Sequence, residues 1–171
     1  MYNSLKLIDL LKNKYEITVH KHEALFTVED SKKLIGKIEG SHSKNLFLKN
    51  KKNEFFLLSC EETDKVDLKK ISKSLGLGNI SFAKQNYLEQ YLKIKPGSVS
   101  PFALLKDKGG FVNFYLEQTL YESDFVNFHP LINTFTVKIE TNRFIEFMIE
   151  NNKKIHIFSS EEGKILKTYG K

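Results

Sequence analysis

Apolar residues at helical spacing open the chain: Leu5, Leu7, Ile8, Leu10 and Leu11 predict an amphipathic helix over residues 4–13, with Asn3 or Ser4 able to cap it. Alternation from Glu16 to His20 predicts a short strand. Thr27-Val28-Glu29-Asp30 has the form of a helix start, with Thr27 as cap and Asp30 reaching back, and Gly36 ends that short helix after Leu34-Ile35. Two β-rich runs, Ser43 to Leu48 and Glu54 to Cys60, flank the polar Lys49-Asn50-Lys51-Lys52-Asn53 and predict a hairpin with a basic tip. Side chains alternate along a strand, so Lys44 and Asn45 point to opposite faces, and at most one of them shares the face of Leu46 and Leu48.

Farther along, Asp67 caps a helix carrying Leu68, Ile71 and Leu75, which Gly76-Leu77-Gly78 closes, and Ile80 to Phe82 reads as a short strand. Residues 84–93 read as a helix with Tyr87, Leu88, Tyr91 and Leu92 on one side. It delivers the chain into the least regular stretch of the sequence, Leu92-Lys93-Ile94-Lys95-Pro96-Gly97-Ser98-Val99-Ser100-Pro101-Phe102. After it come one helical turn over Phe102 to Leu105, a break at Gly109-Gly110 and a strand from Phe111 to Leu116. Asp124 to His129 reads as an irregular segment and a second candidate for function, with His129 held out of the helical region by Pro130. Thr134 to Ile139 alternates as a strand, Thr141 caps a helix that buries Phe144, Phe147 and Met148, and Ile155 to Phe158 makes a final strand before a Lys-rich end that reads as frayed. Strands and helices mix without strict alternation or repeat, which predicts the α+β class: one domain over residues 1–171, built on a central mixed sheet with helices against it.

Composition narrows the function classes. The 14 Phe and 7 Tyr among 171 residues predict an aromatic core and exclude a disordered chain. An excess of 27 Lys+Arg over 21 Asp+Glu gives a net charge of +6, which permits a polyanionic partner without requiring one. One cysteine, Cys60, excludes an internal disulfide and a thiolate metal cage, and suits a reducing cytoplasm. No apolar run approaches the ~18 residues of a membrane span, and Met1-Tyr2-Asn3 opens without a signal-peptide pattern, so a cytoplasmic protein without a membrane partner is expected. Phosphate-loop, dinucleotide, Cys-x-x-Cys and His-Glu-x-x-His motifs are all missing.

Three sets of residues remain as candidate chemistry. Pro96 and Pro101 fix φ near about −65° and lack an N–H, while Gly97 can take positive φ, so they define a stiff loop. Exposed amides, carbonyls and small hydroxyls in such a loop can cradle a small polar ligand, although a plain surface turn is the commoner meaning. His20 and His22 share a strand face but have no acidic or cysteine partner nearby, which favours hydrogen-bonded histidines over metal ligands. Ser98 and Ser100 with His129 suggest a serine hydrolase, yet Gly-Ser-Val-Ser-Pro is not a Gly-x-Ser-x-Gly elbow.

Four stretches taken together resemble the YbaK-type aminoacyl-tRNA editing domains, and among these the free-standing prolyl-tRNA editing proteins that hydrolyse alanyl-tRNA(Pro). They are Thr27-Val28-Glu29-Asp30-Ser31 after His-Glu-Ala, Ser43-Lys44-Asn45-Leu46-Phe47-Leu48, Lys95-Pro96-Gly97-Ser98-Val99-Ser100-Pro101-Phe102, and Asn127-Phe128-His129-Pro130-Leu131-Ile132-Asn133-Thr134. The likeness spans about residues 1 to 155, in the expected order; Glu117, after Tyr115-Leu116, departs from an expected Asp. The resemblance implies a mixed, partly barrel-like sheet and deacylation of mischarged tRNA without metal or cofactor. It implies that Lys44 holds the terminal adenosine and its phosphate. It also implies that Gly97, Ser98, Val99, Ser100 and Pro101 receive the aminoacyl group and position water, and that His129 lies beside the ribose. Thr27, Asn45, Phe128 and Asn133 are the accompanying substrate-binding candidates. The implied partners are the acceptor end of a mischarged tRNA(Pro) and prolyl-tRNA synthetase, with the protein a monomer or weak dimer. Read from the residues alone, the plainer meanings are favoured: Lys44 a solvated strand-edge lysine, Asn45 a turn or ladder neighbour and His129 a packed histidine locked by Pro130. The alternatives in function are a deacylase for cysteinyl-tRNA(Pro) or another small residue, and a non-catalytic module that binds tRNA or a synthetase.

Overall fold

The computed structural model describes residues 3–25, 28–34 and 36–171. Thr27, the expected cap and substrate contact, lies outside these residues, as does Ile35. The strands are β1 (Ile17–Lys21), β2 (Ser41–Asn50), β3 (Phe55–Glu61), β4 (Ile80–Phe82), β5 (Val112–Glu117), β6 (Phe125–Phe128), β7 (Phe135–Glu140), β8 (Ile155–Ser159) and β9 (Lys164–Tyr169). They form one mixed sheet in the order β1-β7-β6-β2-β3-β5-β8-β9, with β4 paired to β2 off that path. The helices are α1 (Ser4–Lys14), α2 (Val28–Lys32), α3 (Leu68–Ser74), α4 (Gln85–Tyr87), α5 (Gln118–Glu122) and α6 (Thr141–Glu150). The α+β class with a mixed sheet is what the sequence pattern predicts.

The ten-residue strand β2 joins the two halves of the sheet. Ser41 and His42 pair parallel with Val126 and Asn127 of β6, residues 43–49 pair antiparallel with β3, and residues 48–50 pair with β4. Alternation along β2 then sorts its side chains. Phe47 enters the larger core with α1, α6 and the 3-10 helix Pro101–Lys106, while Leu46 and Leu48 face the smaller core under α3. Lys44 has the parity of Leu46 and Leu48, and Asn45 has that of Phe47. Strand β3 is buried at six successive positions, Phe55 to Cys60, as a strand covered on both faces must be. The aromatic core is built edge-on: Phe102 meets Phe128, Phe144 and Phe147 with ring centroids at 6.0, 5.8 and 6.0 Å.

Local signals account for several boundaries. Asn3 accepts the Lys6 amide at 2.9 Å and Asp67 accepts that of Lys70 at 3.0 Å, so both expected caps are in place. Other expectations are corrected. Residues 125–128 are a strand, β6, not an irregular segment: it pairs with β7 and β2, and the side-chain Nδ2 of Asn127 donates to the carbonyls of Glu39 and Ser41 at 2.9 and 3.3 Å, which fixes the parallel pairing with β2. The Lys-rich end is not frayed, since β9 pairs antiparallel with β8 and Tyr169 shares a hydroxyl hydrogen bond of 2.7 Å with Tyr121. Thr141 is the first residue of α6, not its cap, and its hydroxyl donates to the Ser123 carbonyl. The helix expected over 84–93 keeps α geometry only to Tyr87; Leu88–Leu92 is a π-helical turn that Lys93 ends at φ +52°.

Candidate active site

A small polar cleft of about 30 Å³ opens where β2 begins and β6 ends, lined among others by His42, Ser43, Glu62, Asn127, His129 and Thr136. The parallel pairing of His42 with Asn127 builds one wall, and His129 leaves β6 directly before Pro130. A space of this size takes a water or a small side chain. His129 Nδ1 donates to the Phe135 carbonyl at 2.9 Å, so the neutral ring carries its proton there and presents Nε2 as an acceptor. Burial holds His129 below the ordinary histidine value of 6.5, the charges of His22 and His42 push the same way, and the Phe135 carbonyl opposes them. The His22 ring lies 5.9 Å from that of His129 and is hydrogen-bonded at both nitrogens, to the Glu23 carbonyl at 2.7 Å and the Thr136 hydroxyl at 2.9 Å.

A chain of polar side chains leads into the cleft. Ser59 donates to Asn45 Oδ1 at 2.5 Å, Asn45 Nδ2 to Ser43 Oγ at 3.2 Å, and Ser43 to the Asn127 carbonyl at 2.9 Å. Asn127 is 3% exposed, and its Oδ1 is buried without a hydrogen-bond partner among the described residues. Such an acceptor costs about 1–3 kcal/mol unless something donates to it. Asn127 lies in the fourth of the resembling stretches, where the sequence alone gives it no role. The signal was an asparagine, disfavoured in strands, between the buried Val126 and Phe128.

Lys44 is partly buried and donates to the backbone carbonyls of Glu62, at 3.3 Å, and Asp64. Glu62 lines the cleft and Asp64 a larger cavity, so the ammonium is tied to the chain between the two, on the opposite strand face from Asn45. Three N–H donors minus two carbonyls leaves one for a ligand. Asn45 is engaged inside the polar chain. Phe128 borders the cleft, but its ring packs on Phe102 and Phe144 with 1% exposure. Asn133 donates to the Leu25 carbonyl at 3.1 Å and thereby fixes the segment that forms the cleft's rim.

The loop makes a tight turn and is less open than expected. Gly97 is exposed at φ +83°, where glycine is favoured, and the Ser98 amide closes a turn onto the Lys95 carbonyl at 3.2 Å. Ser98, Ser100 and Pro101 are buried and Val99 packs on the core. Ser100 Oγ accepts from the Phe102 amide at 3.3 Å and caps the 3-10 helix, so this hydroxyl is engaged with backbone. None of Gly97 to Pro101 lines the cleft; the loop is separated from it by the buried rings of Phe102 and Phe128.

Glu117, the departure from the expected Asp, caps α5 through the Thr119 amide at 2.6 Å and accepts from the Ser160 hydroxyl at 3.0 Å. It lies in a larger polar cavity of about 590 Å³ beyond the carboxyl ends of β3, β5 and β8. Cys60 lines the same cavity, and burial pushes its thiol up to about 12, with the Glu117 charge adding to the effect, so it is no nucleophile. No helix among the described residues is long and apolar enough to cross a membrane.

Residues 22–147 match the family model of the aminoacyl-tRNA editing domain. A prolyl-tRNA synthetase associated domain-containing protein 1 of Xenopus laevis is 35% identical over 133 residues, 75% of this chain and 79% of that protein. The prolyl-tRNA editing protein ProX of Acetoanaerobium sticklandii is 33% identical over 131 residues, 76% of this chain and 79% of its own. A solved structure described as a candidate trans-editing enzyme for prolyl tRNA synthetase shares the fold at a TM-score of 0.65 and 15% identity, covering 91% of this chain and 96% of its own.

Proposed function

The chain belongs to the aminoacyl-tRNA editing domain family, and from that membership we propose that it is a trans-acting deacylase that removes alanine from mischarged tRNA(Pro). The observation that carries the reading is the small polar cleft lined by neutral His129 and by Asn127, whose buried Oδ1 has no partner among the described residues. An aminoacyl ester is already activated, so its hydrolysis asks for a placed water, donors facing the developing oxyanion and help from the neighbouring ribose hydroxyl. No protein nucleophile, metal or cofactor enters this scheme.

In the proposed complex His129 Nε2 accepts from a ribose hydroxyl, and the third N–H of Lys44 meets the terminal phosphate or the ester oxygen. Asn127 Oδ1 accepts from the α-ammonium of the amino acid, which supplies the donor it lacks. The turn at Gly97 lies over the side chain. A cleft with space for one methyl group admits alanine and excludes proline, which is the second sieve that a proline-activating enzyme requires, because binding alone separates side chains differing by a few methylenes by only about 1–3 kcal/mol. A panel of aminoacyl-tRNAs tests the reading. Alanyl-tRNA(Pro) is expected to be hydrolysed fastest, with prolyl-tRNA(Pro) left intact. Preference for cysteinyl-tRNA(Pro) would move the substrate within the family, and failure to hydrolyse any member of the panel would refute deacylation.

A further inference from the structure

A groove of about 770 Å³ lies away from the cleft-lining residues, between α1, the π-helical turn and the end of the 3-10 helix. Its floor is aromatic. Phe111 is 59% exposed, its ring sits over Gly109, where an added Cβ would collide with it, and Tyr91 stands beside it with centroids 5.4 Å apart. Tyr91 is held in turn against Phe55 at 4.5 Å. The rim is basic: Lys6, Lys93, Lys106 and Lys108 line the groove. A second cavity shares Leu105, Lys108 and Gly109 with it and carries the basic edge on to Lys153. The one acid in the lining, Asp107, is 3% exposed, and its two oxygens accept the amides of Phe111 and Val112 at 3.1 and 2.8 Å.

We propose that this groove binds RNA, with a base stacked on Phe111 and Tyr91 and the flanking phosphates on the lysine rim. An exposed aromatic face immobilised from below, inside a ring of ammonium groups, has the two elements by which single-stranded nucleic acid is held without sequence reading. A hydrophobic protein partner would not need the basic rim, and an acidic one would not need the open ring face. The groove also touches the loop of the proposed active site at both ends. Lys106 Nζ donates to the Lys93 carbonyl at 2.9 Å and so ties the start of the 93–106 segment, which contains Gly97 to Pro101, to its finish. RNA on this clamp is therefore placed next to the element that would receive the aminoacyl group. That the RNA is tRNA rests on the deacylase reading.

Unacylated tRNA(Pro) is the probe, and Phe111→Ala and the pair Lys6→Gln/Lys93→Gln are the variants, with thermal midpoints confirming folding. Loss of stacking should weaken binding by roughly 5- to 150-fold in Phe111→Ala. Removal of two phosphate contacts should reduce the slope of log affinity against log salt by about 1.4–1.8. The same variants should raise KM for full-length aminoacyl-tRNA, with kcat little changed. Binding curves and salt slopes equal to wild type would overturn the groove and leave the deacylase reading standing. An unchanged tRNA curve together with lost binding to prolyl-tRNA synthetase would overturn it in favour of a protein surface. A wild-type protein that binds tRNA through Phe111 and yet hydrolyses no aminoacyl-tRNA would support the groove and remove the deacylase reading.

Discussion

Replacing Lys44 separates its two jobs. Lys44→Ala removes an ammonium that donates to the carbonyls of Glu62 and Asp64, and leaves both without that donor. Hydrogen bonds to a charged group contribute about 1.5–3 kcal/mol each when fully formed; at this partly exposed site a combined loss of roughly 2 kcal/mol is reasonable. For a chain of this length that corresponds to a fall of about 4–8 °C in Tm. The third N–H is the one assigned to the substrate, and loss of a donor aimed at developing charge costs about 10²–10³ in rate. The assay is single-turnover hydrolysis of alanyl-tRNA(Pro) at a temperature where wild type and variant are both fully folded, with Lys44→Met as a second variant that keeps the apolar stem. Both variants should lose the rate together. Wild-type turnover with a lowered Tm would reduce Lys44 to a strut between β2 and the chain after β3. A lost rate with an unchanged Tm would mean that the ammonium is not anchored to those carbonyls.

The remaining expectations concern the other groups at the cleft. His129→Gln keeps a hydrogen-bonding side chain without titration near neutrality, so a modest loss with Gln and a severe one with Ala identifies positioning, whereas equal severe losses identify proton transfer. Because burial lowers the His129 pKa below the ordinary 6.5, the unfolded chain takes up a proton there before the folded one does; stability should fall as pH drops below about 6.5, and less steeply in His129→Gln, as acid denaturation midpoints will show. Gly97→Ala forces a Cβ into the left-handed region at φ +83°, which should cost about 1–2 kcal/mol, or roughly 2–8 °C in Tm, while hydrolysis of alanyl-tRNA falls by much more and that of glycyl-tRNA by less; an unimpaired alanyl rate places the pocket elsewhere. Asn127→Ala should abolish the preference for alanyl-tRNA over its N-acetylated form, a ratio that loss of stability alone does not change, and a retained preference would free the Asn127 oxygen from the α-ammonium.

How far these residues were legible depends on whether their partners are near in sequence. Asn3, Asp67 and the Asn50 turn could be read because cap and turn partners lie within four residues: Asn50 Oδ1 accepts from Lys52 and Glu54 at 2.9 and 3.0 Å. Strand β6 could not, because four residues carry little period and its pairing is set by Glu39 and Ser41, more than 80 positions away. Strand β9 was hidden by its lysines: Ile165 and Leu166 are both exposed, so burial leaves no pattern, and only its ladder with β8 makes it a strand. An apolar stripe does not distinguish an α from a π turn, which is why Leu88–Leu92 was misread. At the candidate site, residue identities were readable and their engagements were not. The Lys44 side chain bonds carbonyls, which carry no sequence signature, and the buried hydroxyl of Ser100 turned out to be a cap.

The pairing of β1 with β7 sets Ile17 against Ile139 and Lys21 against Phe135, strands more than 110 positions apart in the chain. His22 reaches Thr136, and Leu25 bonds Asn133, across the same span. Closing loops of that length brings an entropic penalty that grows with the logarithm of their size, and contacts so distant in sequence slow folding. During synthesis, then, a nascent chain can assemble the local β2–β3 hairpin early, but the cleft stays unfinished until residue 139 has left the ribosome.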